Sequence, residues 1–166
     1  MSFEMKMFFL ALGVLAAVAV VIVPAVTALE ATAGKREVAL NNQTIIADVA
    51  ATPAARERGL GGRDALEVNE GMLFLFDGSE RYTFWMKGMY FPIDIVWIRE
   101  GRIVSIAANV PPQIGAPESE LARYTPPEPA DTVLELAAGR AARMHAAVGD
   151  EVSVRPLIRW SLKFFP

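Results

Sequence analysis

The chain has 166 residues, the length of a single domain with one hydrophobic core once a terminal targeting segment is set aside. Its formal net charge is −3, with lysine and arginine scattered among aspartate and glutamate, so no basic stripe is present and nucleic acid is not expected as a partner. The lack of cysteine excludes disulfides, thiolate nucleophiles and zinc-thiolate sites.

The first predicted element is a hydrophobic helix at the amino terminus. Residues 8–23 contain no charged or strongly polar side chain, and the apolar stretch continues to residue 29. A cleavable signal peptide has an apolar core of about 7–15 residues, whereas a membrane-spanning helix needs about 20. The length favours an anchor, while the small residues Val26-Thr27-Ala28 are typical of a signal peptidase site. Residues 1–29 are therefore predicted to be a signal peptide or a membrane anchor. The flanking charges do not fix the orientation, and a domain outside the cytoplasm is the hypothesis.

A linker of residues 30–36 leads into the domain, which begins at residue 37. Residues 37–40 and 43–50 flank Asn41-Asn42, two residues that tolerate positive φ, and this pattern predicts a hairpin. Thr52 before Pro53 is typical of a helix start and Gly59 of a helix end, so a short helix is predicted between them.

Four apolar and aromatic runs come next. Residues 71–76 and 82–87 are separated by a polar turn, and residues 93–98 and 102–107 by a turn that contains Gly101. Each pair predicts a hairpin.

The last third begins with a long loop over residues 109–129, which holds most of the prolines of the domain. A strand at residues 133–136, a helix at 140–147 and a strand at 151–155 follow. The predicted fold of residues 37–155 is mainly β, a compact antiparallel barrel or sandwich of about eight strands with two short helices.

The carboxyl-terminal tail, residues 156–166, has basic residues every four positions among tryptophan, leucine and phenylalanine. This is the pattern of an amphipathic helix at a lipid interface. A helix or strand that caps the barrel is the alternative.

Motifs of known catalytic chemistry are missing from the sequence. There is no GxSxG elbow, phosphate-binding loop or HExxH motif, and Gly59, Gly61 and Gly62 follow a helix where a dinucleotide fingerprint needs a strand. His145 is the only histidine, so no imidazole pair can bind a metal. We expect no metal and no cofactor.

Three sequence blocks resemble the family known as domain of unknown function 192. They are residues 71–76 (GMLFLF), 84–87 (FWMK) and 92–95 (PIDI), with further similarity at 52–63, 133–139 and 148–150. Gly61 stands where the family usually has Met, and Gly88-Met89 where it usually has Asn-Thr. The resemblance implies a compact, largely β fold and implies no activity.

A candidate ligand pocket follows from two polar residues in apolar surroundings. Alternation places Lys87 on the same strand face as Trp85, and Asp94 interrupts an apolar strand, where a carboxylate needs a cation or backbone donors. Lys87 or Arg63 is the expected partner of Asp94. The predicted pocket consists of Arg63, Trp85, Lys87, Asp94 and Tyr124, and the alternative is a structural ion pair at one end of the barrel.

The function predicted from these features is that of a non-enzymatic accessory module of the cell envelope, which binds a small polar ligand or a partner protein. It is expected to contact the membrane through residues 8–29, and the tail is a second membrane contact unless it caps the barrel. The alternative is a small extracytoplasmic hydrolase that uses Asp94 as base and Lys87 or Arg63 as electrostatic stabiliser.

Overall fold

A computed structural model describes residues 34–157. The predicted N-terminal helix and residues 158–166 of the predicted tail lie outside this range. Within it are nine strands and two short helices: β1 (Lys35–Leu40), β2 (Gln43–Ala50), α1 (Pro53–Arg58), β3 (Glu70–Glu80), β4 (Phe84–Trp85), β5 (Ile93–Arg99), β6 (Arg102–Val110), β7 (Arg123–Tyr124), β8 (Ala130–Ala137), α2 (Arg140–Arg143) and β9 (Val152–Pro156). A 3-10 turn, Glu118–Glu120, lies between β6 and β7.

The β1–β2 hairpin and α1 form where their local sequence signals predict them. Asn41 and Asn42 have φ values of 48° and 60° and join β1 to β2 in a hairpin. The Thr52 hydroxyl accepts a hydrogen bond from the Ala55 amide at 3.2 Å, which caps α1. Gly59 ends α1 with a φ of 50°.

Seven strands form one sheet in the order β6-β5-β8-β3-β2-β1-β9, and β4 and β7 form a separate ribbon. Neighbouring strands run antiparallel except β2 and β3, which are parallel because α1 and the loop after it carry the chain back across the sheet. The predicted mainly β fold with two short helices is confirmed. The prediction of purely antiparallel pairing is wrong at β2–β3.

The hairpin predicted between residues 71–76 and 82–87 does not form. β3 pairs with β2 on one side and with β8 on the other, which occupies both of its edges. The next residues therefore pair elsewhere, and Phe84-Trp85 joins Arg123-Tyr124 of the proline-rich segment. This non-local ribbon covers part of one face of the sheet.

The two edge strands of the sheet meet at one end. The Ile103 amide donates to the Asp150 carbonyl at 3.0 Å, and the Val152 amide to the Gly101 carbonyl at 2.8 Å. The only β-bridge between them in the described residues joins Arg102 and Glu151. The sheet is therefore curved but is not the closed barrel that the strand spacing predicted.

The sheet separates two apolar clusters, because alternate residues of a strand point to opposite faces. One cluster contains Leu134 and Val96 together with Ala141 and Met144 from α2 and the residues after it. The other contains residues of the opposite parity in β8 and β5, such as Val133 and Ile95, and is covered by the α1 region and the β4–β7 ribbon. α2 is shorter than the predicted helix of residues 140–147, and His145, with a φ of 54°, lies beyond its end.

Candidate functional site

A cleft of about 290 Å³ opens on the sheet face that α1 and the ribbon cover. Its inner lining consists of buried side chains, among them Leu60, Phe74, Met89 and Glu135, whereas exposed basic side chains surround its mouth. Glycines bring its walls together, since the Gly62 amide donates to the Gly88 carbonyl at 2.9 Å. A Cβ at Gly61 would lie 3.0 Å from the Arg58 carbonyl and 3.1 Å from that of Lys87. Gly61 and Met89, two of the positions that depart from the family pattern, therefore shape the cleft.

One wall of the cleft is built on Trp85. The Lys87 ammonium lies 5.2 Å and the Arg123 guanidinium 4.4 Å from the centre of its ring. Both distances are in the range of cation–π attraction. Lys87 also pairs with Glu118 at 2.6 Å, in a contact where both side chains are about half exposed.

Glu135 lies at the inner end of the cleft. It stands in β8 opposite Met72 of β3 and Ile95 of β5, and only 5% of its surface is exposed. Its Oε2 atom has no hydrogen-bond partner within residues 34–157. Burial raises the pKa of this carboxyl to about 8, although the positive charge of Arg63 acts in the opposite direction. Glu135 is therefore largely protonated at neutral pH.

Positive charge at the mouth of the cleft has few carboxylate partners. Arg56 donates to the backbone carbonyls of Ala51 at 2.7 Å and Leu75 at 2.9 Å, which carry no net charge. In the described part of the chain, none of the three arginines Arg56, Arg58 and Arg123 forms an ion pair. Glu57 is the one other acidic residue of the lining besides Glu135.

The structure brings only two of the five predicted pocket residues to the cleft. Trp85 and Lys87 line it, and the prediction that they share a face agrees with their contact. Tyr124 lies beside the cleft, where it pairs with Phe84 in the ribbon. Arg63 points to Asp48, and its Nη2 atom lies 2.7 Å from the Asp48 carboxylate. Lys35 pairs with the same carboxylate at 3.1 Å, and these two cations hold the pKa of Asp48 below its usual value although burial alone raises it.

Asp94 lies on the opposite face of the sheet from the cleft. It is fully buried and accepts hydrogen bonds from the backbone amides of Asn109 at 2.8 Å, Gly139 at 3.0 Å and Ala141 at 2.8 Å. The prediction that this carboxylate needs donors is confirmed, and the donors are backbone amides. Its expected pairing with Lys87 or Arg63 is wrong, because those cations contact Glu118 and Asp48 instead. Asp94 therefore fixes the start of α2 and the bulged end of β6.

Glu135 was not predicted as a site residue, although the signal for it was present. It interrupts the apolar run Val133-Leu134-Leu136 of a central strand, as Asp94 interrupts its own strand. The basic residues of α1 and Arg123 were missed as well, because only the folded chain brings them to Trp85.

Two further properties of the described part bear on its chemistry. Residues 34–157 contain no group of three His, Asp or Glu side chains placed to hold a metal ion. Neither of the helices in that range is long and apolar enough to cross a membrane.

The solved structures that are similar to this chain include the following two proteins. A putative transcription regulator from Sinorhizobium meliloti 1021 is 29% identical, with a TM-score of 0.62 over 72% of this chain and 92% of that protein. A protein of unknown function from Novosphingobium aromaticivorans DSM 12444 is 30% identical, with a TM-score of 0.62 over 72% of this chain and 83% of that protein. No curated protein matches the chain.

Residues 23–154 match the sequence profile of domain of unknown function 192 (DUF192), a family described as an uncharacterized ACR. The matched range contains each of the blocks that carried the resemblance, and it spans all strands up to β9. The chain therefore belongs to the DUF192 family.

Proposed function

We propose that the domain is an accessory module of the cell envelope that binds a small polar ligand in the cleft between α1 and the β4–β7 ribbon. The observation that carries this proposal is Glu135, a buried carboxyl at the inner end of an open cleft whose Oε2 atom has no partner in residues 34–157. A buried polar atom without a hydrogen-bond partner raises the free energy of the folded protein. A ligand group that forms this hydrogen bond from the cleft would therefore be bound favourably.

The walls of the cleft support a binding role as well. Aromatic side chains and a few convergent polar groups are typical of small-molecule sites, and the volume of about 290 Å³ lies just below their range of about 300–1,000 Å³. Arg63 pairs with Asp48 and Lys87 with Glu118 in the segments that surround the cleft.

A small extracytoplasmic hydrolase is the second candidate. A carboxyl with a pKa near 8 inside a cleft is typical of a general acid or base, and Lys87 and Arg123 are placed to stabilise developing negative charge. Glu135 takes the role that the sequence assigned to Asp94, since Asp94 faces away from the cleft. Turnover of p-nitrophenyl esters or phosphates that Glu135→Gln abolishes would favour this candidate over the binding module.

The cell-envelope assignment and the membrane contacts rest on the sequence. Residues 8–29 are proposed to insert into the membrane during export, and the tail of residues 156–166 to lie at the lipid interface. Liposome binding of the domain without residues 1–29, with and without residues 157–166, tests the tail. Equal binding by the two proteins would contradict a lipid-facing tail.

Native mass spectrometry of the full-length protein tests ligand binding directly. We expect a bound small molecule on the wild-type protein and at least a fivefold lower occupancy on Trp85→Ala, because this change removes the aromatic wall. Ile114→Ala serves as the control, since Ile114 is 70% exposed and does not line the cleft. Equal occupancy, or none, on all three proteins would contradict the proposal.

A further inference from the structure

The cleft has a graded distribution of charge from its mouth to its inner end. Arg58, Lys87 and Arg123 are exposed at the mouth, whereas Glu135 is buried at the inner end. A ligand that enters meets positive charge first, and this attracts anions and repels cations.

Lys87 pairs with Glu118, whereas the positive charges of Arg58 and Arg123 are available to a ligand because neither pairs with a carboxylate in the described residues. The Arg58 guanidinium has no hydrogen-bond or ion-pair partner within residues 34–157, and Arg123 is held against Trp85 without a carboxylate. Guanidinium groups present paired N–H donors that match carboxylate and phosphate oxygens.

The inner end of the cleft also favours a ligand with a hydrogen-bond acceptor. A protonated carboxyl has an O–H donor, and the oxygen of an anion accepts such a bond at short distance. Between the mouth and Glu135, the side chains of Phe74, Phe84 and Trp85 provide apolar walls.

We propose that the ligand of this cleft is a small molecule with an apolar, flat part and an oxyanion, such as a carboxylate or phosphate, that the positive charge of the mouth attracts into the cleft and that accepts a hydrogen bond from Glu135 at the inner end. This inference rests on the proposed binding function. It adds the chemical class of the ligand and a required protonation state of the site.

The pH dependence of binding follows from the groups around Glu135. Its neighbours on β3 and β5, Met72 and Ile95, are apolar. The other charged or titratable groups that line the cleft are Arg56, Glu57, Arg58, Tyr82, Lys87 and Arg123. The positive charge of Arg63 acts on Glu135 from outside the lining. Loss of the Glu135 proton is the change expected between pH 6.5 and 9. An ionised Glu135 repels an anion, and binding of the anion should weaken about tenfold per pH unit above pH 8.

Benzoate and benzamidinium, two flat probes of nearly equal shape and opposite charge, test the inference on the full-length protein by ligand-observed NMR titration. We expect benzoate to bind at least tenfold more tightly than benzamidinium at pH 6.5 and to lose affinity above pH 8. In Glu135→Gln, which has an N–H donor and no titratable proton, the affinity for benzoate should be independent of pH between 7 and 9. Arg123→Ala should weaken benzoate about fivefold, whereas Arg155→Ala, an exposed arginine of β9 outside the cleft, should not.

Different outcomes separate the inference from the function on which it rests. Tighter binding of benzamidinium, with an affinity that increases above pH 8, would overturn the oxyanion class and leave a binding cleft in place. If neither probe binds the wild-type protein more tightly than it binds the Trp85→Ala variant, the inference and the proposed binding site are both overturned.

Discussion

Two buried carboxyl groups in neighbouring strands are satisfied in opposite ways. Asp94 of β5 accepts hydrogen bonds from three backbone amides on the face that α2 covers. On the cleft face, the Oε2 atom of Glu135 in β8 has no hydrogen-bond partner in the described residues. A carboxylate with three donors stabilises the local backbone, and a carboxyl without donors is kept protonated by burial. The first is a structural residue, and the second is the candidate site residue.

The Glu135 carboxyl makes the stability of the domain depend on pH. The pKa of Glu135 is about 8 in the folded chain and about 4.5 in the unfolded chain. The contribution of the protonated side chain to the unfolding free energy is therefore fully present below pH 4.5 and is lost as the pH rises to about 8. Glu135→Gln has no such dependence. Wild-type protein should therefore lose on the order of 4 kcal/mol of unfolding free energy relative to Glu135→Gln between pH 4.5 and 8.5.

Urea unfolding of both proteins at the two pH values measures this difference, and the comparison cancels the contributions of other acids such as Asp48. A difference between the proteins that does not change with pH would contradict a buried, protonated Glu135.

Asp94→Asn tests the structural assignment of Asp94. The amide nitrogen of asparagine cannot accept a hydrogen bond, so the change leaves at least one buried N–H group among those of Asn109, Gly139 and Ala141 without an acceptor. We expect the unfolding free energy to fall by about 2–3 kcal/mol, and Asp77→Asn, at an exposed position, to change it by less than about 0.5 kcal/mol. A stable Asp94→Asn protein that no longer binds benzoate would instead make Asp94 a site residue.

At the scale of the elements, the sequence predicts what is local. The Asn41-Asn42 hairpin, the capped α1 and the β5–β6 hairpin each depend on residues within a few positions of one another. The pairing of β3 with β8 joins Gly71 to Leu136, and nothing in the pattern of either strand specifies a partner so far along the chain. The same limit applies to the site, because Trp85 and Lys87 are close in sequence, whereas Glu135 and Arg123 reach the cleft only through non-local pairing.

Gly71 shows how closely β3 and β8 are packed behind the cleft. A Cβ on this residue would lie 2.8 Å from the Glu135 carbonyl oxygen and 3.3 Å from a methyl group of Leu136. Gly71→Ala should therefore lower the unfolding free energy by about 1–3 kcal/mol. Gly78→Ala in the same strand is the matched control, because a Cβ there has no neighbour within 4 Å. Equal thermal melting of the two variants would contradict this packing.

At the scale of the whole molecule, the proposed role depends on export of the domain. Residues 1–36 fused to an alkaline phosphatase reporter, which is active only outside the cytoplasm, should give an active enzyme, and the same fusion without residues 8–29 should not. An inactive full fusion of normal abundance would contradict the envelope location. Binding in the cleft does not depend on this result, since every residue of the cleft lies within residues 56–135.

The central claim is that Glu135 is a protonated carboxyl that meets an anion in the cleft, and its own titration tests this most directly. The carboxyl carbon of Glu135, assigned by its loss in Glu135→Gln, should titrate by carbon-13 NMR with a midpoint at about pH 8. Saturating benzoate should move the midpoint upward, because the bound anion favours the proton. A midpoint near 4.5, or one that benzoate leaves unchanged, would contradict the claim.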